Sequence, residues 1–287
     1  MTAPLSDLGR ARDQIGEVLA VERLGAELTE ITVRLPHLAR EARPGEFAQV
    51  RAWDGIEPLL RRPFSVAWTE GERCRFVVAP VGVGTRLLVG LRPGDPFRAL
   101  GPLGNGFGLE PVPARALIVS GGVGCAPFPL LVRELRRAGC PSVTVLSGAA
   151  TGGRLYPAER FRRGDSSVAV VEATDDGSAG HRGFVTDLVA GACDEDSVVY
   201  ACGPNPMLGT LAGMLPRLSR PPLRAEVSLE APMGCGFGTC LGCALPVTAG
   251  EHGDGSAWAL CCRRGPVMEV SEIAWPQLLA LPPAHVA

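Results

Sequence analysis

The sequence predicts a multi-domain chain: a small antiparallel β-barrel, then an α/β unit with a largely parallel sheet, then a short cysteine-rich module. Three observations predict it. Gly16 to Leu100 reads as short β-rich runs broken by turns. From Pro111-Val-Pro onward, apolar strand-like runs alternate with helical stretches. Five of the ten cysteines fall between Cys235 and Cys262. At 287 residues the chain has room for two packed domains and a small third module, since single cores rarely grow past ~250 residues. The expected boundaries are 14–112, 113–222 and 223–287.

In the first section the β-rich runs are Glu17-Val-Leu-Ala-Val, Glu30-Ile-Thr-Val-Arg-Leu, Phe47-Ala-Gln-Val-Arg-Ala-Trp and Arg75-Phe-Val-Val-Ala. Turn signals such as Arg43-Pro-Gly and Arg92-Pro-Gly-Asp bound them, and this regular spacing suits a barrel. Thr85-Arg-Leu-Leu-Val-Gly-Leu supplies one short helix. In the second section Ala116-Leu-Ile-Val-Ser leads into Gly121-Gly-Val-Gly, and the amphipathic Phe128-Pro-Leu-Leu-Val-Arg-Glu-Leu-Arg-Arg follows. Val143-Thr-Val-Leu, Val168-Ala-Val-Val, Phe184-Val-Thr-Asp-Leu-Val and Val198-Val-Tyr-Ala continue the alternation, as a sheet covered on both faces requires. The third section begins near Pro221-Pro, and no internal repeat is present.

Composition narrows the function. A hydrophobic fraction of 46% and a charged fraction of 20% are those of an ordinary globular protein. The net charge of −2 gives no basic field to hold nucleic acid or an anionic membrane. Every basic residue is arginine, which reads as coding bias rather than chemistry. Met1 to Gln14 is polar without an apolar run, and no stretch approaches ~18 apolar residues, so neither a signal peptide nor a membrane span is expected. A cytoplasmic protein follows as the expectation.

In a reducing compartment a dense cysteine group points to metal binding or catalysis rather than disulfides. Cys235-Gly-Phe-Gly-Thr-Cys240-Leu-Gly-Cys243, with Cys261-Cys262 downstream, has the C-x4-C-x2-C spacing of a plant-type [2Fe–2S] site held by four thiolates. Gly234, Gly236, Gly238 and Gly242 let such a loop aim backbone N–H groups at sulfur. A structural zinc site is the rival. It usually shows two C-x2-C knuckles, and here there is one, with His252 alone in a Gly-rich tip. Spacing does not decide between Cys261 and Cys262 as fourth ligand; in an extended segment only one of two neighbours faces a cluster. Cys74, Cys125, Cys140, Cys193 and Cys202 are scattered, and most read as small buried hydrophobes.

Two loops suggest a nucleotide. Ser120-Gly-Gly-Val-Gly-Cys-Ala-Pro follows a strand and opens a helix, which aims free N–H groups at a phosphate, although a tight βα turn also asks for glycine. Tyr200-Ala-Cys-Gly-Pro-Asn-Pro-Met ends a later strand, and ligands of open α/β sheets sit at the carboxyl ends of strands, so both loops belong on one edge. In the barrel section Arg62 can pair with a pyrophosphate, Ser65 offers a hydroxyl, and Gly82-Val-Gly84-Thr85 resembles a phosphate-cradling turn.

In their order, Arg62-Pro-Phe-Ser65, Gly84-Thr85, Gly101-Pro-Leu-Gly-Asn-Gly-Phe107, the Gly121 loop and Cys202-Gly-Pro resemble the ferredoxin–NAD(P)+ reductase superfamily. Thr174-Asp-Asp-Gly-Ser, Gly183-Phe-Val-Thr-Asp187 and Ser228-Leu-Glu-Ala-Pro-Met-Gly-Cys are similar to the electron-transfer subunits of NAD-linked dihydroorotate dehydrogenases. That resemblance implies a ferredoxin-reductase-like FAD barrel, a Rossmann-like NAD domain and a C-terminal [2Fe–2S] module. It implies FAD at Arg62, Pro63, Phe64, Ser65, at Val77, Val78, Ala79, and at Gly84 and Thr85. Ala79 stands where the family often has an arginine, so that phosphate contact does not carry over. NAD falls to Gly121, Gly122, Gly124, Cys202, Gly203 and Pro204, with Cys202 beside the nicotinamide; Cys125 replaces a usual aliphatic residue and either lies near that ring or packs. Cluster ligands become Cys235, Cys240, Cys243 and Cys262, the last preferred to Cys261 by its spacing to Gly265-Pro-Val. The implied partner is an FMN-containing subunit that oxidises dihydroorotate to orotate, two copies of each chain assembling, in pyrimidine synthesis. Two alternatives stand beside it: a reductase serving an oxygenase, hydrogenase or ferredoxin, and a zinc-stapled binding protein with a vestigial nucleotide fold.

Overall fold

A computed structural model describes residues 7–248 and 257–281; His252 lies outside the described residues. The first section supplies strands β1 (Arg12–Leu24), β2 (Leu28–Arg34), β3 (Phe47–Arg51), β4 (Arg62–Ser65), β5 (Trp68–Glu70), β6 (Arg73–Val78) and β7 (Pro96–Leu103). They form one antiparallel sheet in the order β4-β3-β7-β1-β2-β6-β5, which curls so that β4 packs beside β6. Its inner face is the apolar core of Val18, Ile31, Leu35, Phe76, Leu88 and Phe97. The expected short helix forms at Val83–Val89. Strands β5 and β7 carry no clear local signal. The first has three residues, and the second contains Pro96 and Gly101-Pro102, residue types that local propensity disfavours in a strand.

The second section contributes β8 (Arg115–Gly121), β9 (Ser142–Ala149), β10 (Ala169–Thr174), β11 (His181–Arg182) and β12 (Ser197–Cys202). Phe184-Val-Thr-Asp-Leu-Val forms no strand; Val185–Leu188 and Val189–Ala192 are helical turns. The helix Phe128–Arg137 buries Phe128, Leu131, Val132 and Leu135 along one stripe against Ile118, Val145 and Tyr200, the spacing of a sheet-covering helix. Two strands from the cysteine-rich section, β13 (Arg224–Ser228) and, after the hairpin β14 (Ala244–Pro246) and β15 (Trp258–Leu260), β16 (Val267–Glu269), extend this same sheet. Its order is β11-β10-β9-β8-β12-β13-β16, parallel except for the β13–β16 pair. The chain runs from β8 outward to β11, then returns to place β12 on the other side of β8. The reversal between β8 and β12 is a topological switch point, where open α/β sheets bind ligands.

Cys243, Cys261 and Cys262 share one apolar core with Val119, Val199, Leu208 and Val227 of the α/β unit and with Phe47 and Leu103 of the barrel. The cysteine loop is therefore fixed to both sheets. Among the described residues no helix is long and apolar enough to cross a membrane.

The two sheets also meet through charge. Glu30 on β2 is 2% exposed and receives Arg75 at 3.3 Å, Arg160 at 2.8 Å and Arg163 at 2.9 Å. Arg160 and Arg163 belong to the α/β unit, as does Tyr156, whose hydroxyl donates to Glu30 at 3.4 Å. Beside this knot the guanidinium groups of Arg133 and Arg163 lie 4.5 and 4.6 Å from the ring of Trp68. At the β1–β2 turn Gly25 has φ +71° and a Cβ would stand 2.6 Å from the Gly153 carbonyl, so glycine permits the close approach.

Candidate functional site

The cysteines stand as two pairs. The Cys240 N–H donates to Cys235 Sγ at 3.5 Å, and Cys243 Sγ lies 3.2 Å from Cys262 Sγ. Among the described residues, no three His, Cys, Asp or Glu side chains converge on one point as a single tetrahedral ion would need. Two pairs of cysteines suit two irons, two ligands to each. Backbone N–H groups crowd the sulfurs. Burial raises the Cys235 thiol, but N–H groups of Cys240, Phe237 and Thr239 outweigh it and hold the pKa down at about 7. Cys243 is brought to about 6 by the Cys262 thiol, against burial, with help from the N–H groups of Cys262, Cys243 and Cys261. Cys262 is raised because it keeps the proton the pair shares. Thiols of lowered pKa at Cys235 and Cys243, with N–H donors around them, fit ligands that bind iron as thiolates.

Positive φ values of +83° at Gly236 and +92° at Gly238 turn the loop, and the Gly238 N–H points at Cys262 Sγ. A Cβ at Gly238 would come within 2.7 Å of Arg263. Cys261 faces away. Its thiol approaches the Leu229 carbonyl at 3.7 Å in the apolar core, and burial pushes its pKa up. One expectation needs correcting: Cys261–Arg264 is a helical turn, not an extended segment. Successive side chains there diverge by about 100°, which still sends the two thiols to different surroundings.

At the barrel, β4 is itself Arg62, Pro63, Phe64 and Ser65, paired to β3 in the register Arg62↔Val50, Pro63↔Gln49, Phe64↔Ala48 and Ser65↔Phe47. The Arg62 side chain crosses Gly84: a Cβ there would lie 3.2 Å from its Nε and 3.4 Å from Trp53. The two barrel motifs, 22 positions apart in sequence, thus form one cradle. The Thr85 hydroxyl accepts from the Gly82 N–H at 2.8 Å and donates to the Gly82 carbonyl at 3.0 Å, so it serves the turn itself. Val77 and Val78 are buried with their side chains in the cores and pair with Glu30 and Thr29 of β2, and Ala79 is half-buried at the strand end.

Both nucleotide loops emerge at the switch point, since β8 and β12 are parallel neighbours with Ser120 beside Cys202. They pack tightly. A Cβ on Gly124 would stand 2.3 Å from the Cys202 carbonyl, one on Gly121 2.5 Å from Met207 Sδ, and one on Gly203 2.6 Å from Met207 Cε, with Pro204 also against Gly121. At Gly122, φ is +56° and a Cβ would meet open space, which leaves backbone exposed to a ligand. Ser120 Oγ and Asn205 Oδ1 are buried without a protein partner there. Cys202 and Cys125 are both pushed up by burial; Glu230 raises Cys202 further, and Cys202 raises Cys125. Neither thiol is a nucleophile at neutral pH, and Cys125 packs. Gln49, buried under the cysteine loop, escaped sequence reasoning because one amide in an alternating strand carries no local signal.

The iron–sulfur cluster binding domain of dihydroorotate dehydrogenase B matches residues 230–274. A relative from Bacillus caldolyticus, the electron transfer subunit of dihydroorotate dehydrogenase B (NAD(+)), is 39% identical over 271 residues, 93% of this chain and 99% of the relative. A protein of the same description from Desulforamulus reducens is 35% identical over 263 residues, covering 90% and 97% of the two chains. The solved structure of an NADH-dependent reduced ferredoxin-NADP oxidoreductase, described for flavin-based electron bifurcation, superposes with a TM-score of 0.78 at 28% identity, covering 93% of this chain and 92% of that one. The chain belongs to the family of electron transfer subunits of NAD(+)-linked dihydroorotate dehydrogenase B.

Proposed function

We propose that this chain takes electrons from a catalytic partner carrying FMN, which oxidises dihydroorotate to orotate, and delivers them through a [2Fe–2S] cluster and FAD to NAD+. Nicotinamides exchange electron pairs as hydride and a [2Fe–2S] cluster moves single electrons, so a flavin, which does both, has its place between them. The observation that carries the reading is the pairing of Cys235 with Cys240 and of Cys243 with Cys262 beneath converging N–H groups.

Each part of the chain then has a role. The four cysteines hold the cluster. Arg62, crossing Gly84, binds the FAD pyrophosphate, and Phe64 and Ser65 with the end of β6 line the flavin. The loops Gly121–Gly124 and Cys202–Pro204 seat NAD at the switch point, with Cys202 beneath the nicotinamide as a packing and orienting group. No proton-transferring side chain is required.

The exposed edge of the site fits a docking face. Cys240 is exposed, Leu60 lies 3.9 Å from where a Gly234 Cβ would be, and Ile56, Leu59, Phe237 and Leu241 leave large apolar side chains in solvent. Exposed apolar side chains on the cysteine loop, with Leu60 beside it, suit a permanent partner. We place the complex in the cytoplasm as two copies of each subunit, serving pyrimidine synthesis. A reductase for an oxygenase, hydrogenase or ferredoxin would use the same fold. Similarity to dihydroorotate dehydrogenase subunits along nearly the full chain favours the first reading.

Co-expression with an FMN-containing dihydroorotate dehydrogenase subunit tests it. A complex that reduces NAD+ on addition of dihydroorotate is expected, with neither subunit alone doing so. A stable, iron- and flavin-loaded chain that supports no such transfer would refute it.

A further inference from the structure

Gln49 is a buried polar residue with nothing in the protein to bond. Its side chain is 0% exposed, and neither Nε2 nor Oε1 has a hydrogen-bond partner. Leaving a buried amide unsatisfied costs about 1–3 kcal/mol, so such a group in a native core calls for a missing partner.

Its surroundings identify that partner. Along β3, Ala48 and Val50 face the barrel core, so Phe47 and Gln49 face the other way. Phe47 enters the core that contains Cys243 and Cys262. Gln49 lies under the cysteine loop: a Cβ on Gly236 would stand 2.6 Å from Gln49 Cγ and 2.8 Å from Nε2. Gly236 follows Cys235 directly, and its φ of +83° together with this contact makes glycine the residue that fits. On the opposite side Gln49 pairs with Pro63 of β4, the strand assigned above to the flavin. Pro63 has no N–H, and the Gln49 side chain is aimed at the sulfur-bearing loop. The buried amide therefore lies against the cysteine loop, on the strand beside the one assigned to the flavin.

We propose that Gln49 is a positioning and tuning residue whose Nε2–H donates to sulfur at the Cys235 end of the cluster, stabilising its reduced form. The inference rests on the cluster reading given above. On reduction the cluster gains one electron and no proton, so negative charge on its sulfurs rises. A fixed N–H dipole favours that state and raises the potential, as donors to cluster sulfurs do generally. The same contact ties the loop to β3 and so sets the separation between cluster and flavin strand.

The test is a redox titration of the purified, cluster-loaded chain, followed by the paramagnetic signal of the reduced cluster. Gln49→Leu removes the donor, and Gln49→Met removes it while keeping the length of the side chain. Both are expected to lower the potential, by about tenfold in the ratio of reduced to oxidised cluster at fixed ambient potential, about 59 mV for one electron. Iron content, flavin content and the spectrum of the oxidised protein are expected to stay as in the parent. Unchanged potentials in loaded variants would overturn the proposal. If Gln49→Leu fails to hold iron, Gln49→Met decides; loss of iron from both, with flavin retained, would show that the amide only supports the loop and would also overturn it. A parent chain that never binds iron would instead sink the cluster reading itself.

Discussion

Replacing Glu30 by glutamine perturbs one carboxylate that joins the two halves of the molecule. It is 2% exposed and meets three guanidinium groups whose side chains are 21%, 18% and 13% exposed for Arg75, Arg160 and Arg163. A hydrogen bond to a charged group contributes ~1.5–3 kcal/mol, and removing one partner of a buried pair costs ~3–5 kcal/mol. The arginines keep some contact with water and the glutamine carbonyl still accepts one bond, so the low end applies: about 2–3 kcal/mol. For a chain of this size each kcal/mol moves the unfolding midpoint by about 2–4 °C, so calorimetry is expected to show a fall of about 4–12 °C. Because Arg160 and Arg163 lie in the α/β unit while Glu30 and Arg75 lie in the barrel, the loss is shared by both halves. A double-mutant cycle of Glu30→Gln with Arg160→Gln is expected to give coupling of at least ~1 kcal/mol, as contacting charges do. A midpoint shift below about 2 °C, or additive single effects, would refute the reasoning.

Other outcomes follow from the same structure. Cys262→Ser is expected to abolish cluster binding, whereas Cys261→Ser, whose thiol faces the Leu229 carbonyl, keeps it; equal iron loss in both would contradict the pairing with Cys243. Arg62→Ala is expected to weaken FAD binding by about 10- to 100-fold, the loss of one charge-assisted contact, with the circular dichroism of the fold unchanged; full flavin occupancy after gel filtration would show that Arg62 holds no pyrophosphate. In the cluster-free protein Cys235 titrates at about 7, below the ordinary thiol range, so its thiolate is lost as pH falls through that value. Iodoacetamide labelling mapped by mass spectrometry is expected to rise steeply at Cys235 between about pH 6 and 8 and to spare the buried Cys125 and Cys261; a Cys235 rate that rises only above pH 8 would contradict it.

Much of this was legible in the chain because the signals are local. C-x4-C-x2-C compresses three ligands into nine residues, and Ser120-Gly-Gly-Val-Gly and Tyr200-Ala-Cys-Gly-Pro each mark the end of an apolar strand. Their meeting at one edge followed from the rule for parallel sheets, and β8 and β12 prove to be neighbours. What the sequence hid is non-local. Glu30 sits in an ordinary alternating strand, and its partners lie 45, 130 and 133 positions away. Strands β13 and β16 bracket the cysteines in sequence yet complete the sheet of the preceding section, because Ala225 and Val227 bury against its core. The Thr85 hydroxyl ties back to the Gly82 N–H and carbonyl, a local bond by which the helix start satisfies its own donor.

The placement of β3 and β4 shows how three sections of sequence would make the proposed electron path. β4 carries the residues proposed to hold the flavin, and β3, its neighbour, sends Phe47 and Gln49 toward the cysteine loop. The loop in turn is bounded by β13 and β16, which continue the sheet whose switch point holds the nucleotide loops. The cysteine loop, β4 and the edge that carries the nucleotide loops are therefore linked by paired strands and shared core rather than by flexible connections, and the Glu30 knot closes the remaining side. Large domain separation would break the knot and split the common core at once, at a cost of several kcal/mol by the estimates above. On the proposed reading the electron path lies within this one frame, with Gln49 tuning the cluster and the partner docking at Cys240, and Glu30→Gln is expected to loosen the frame while leaving the cluster potential unchanged.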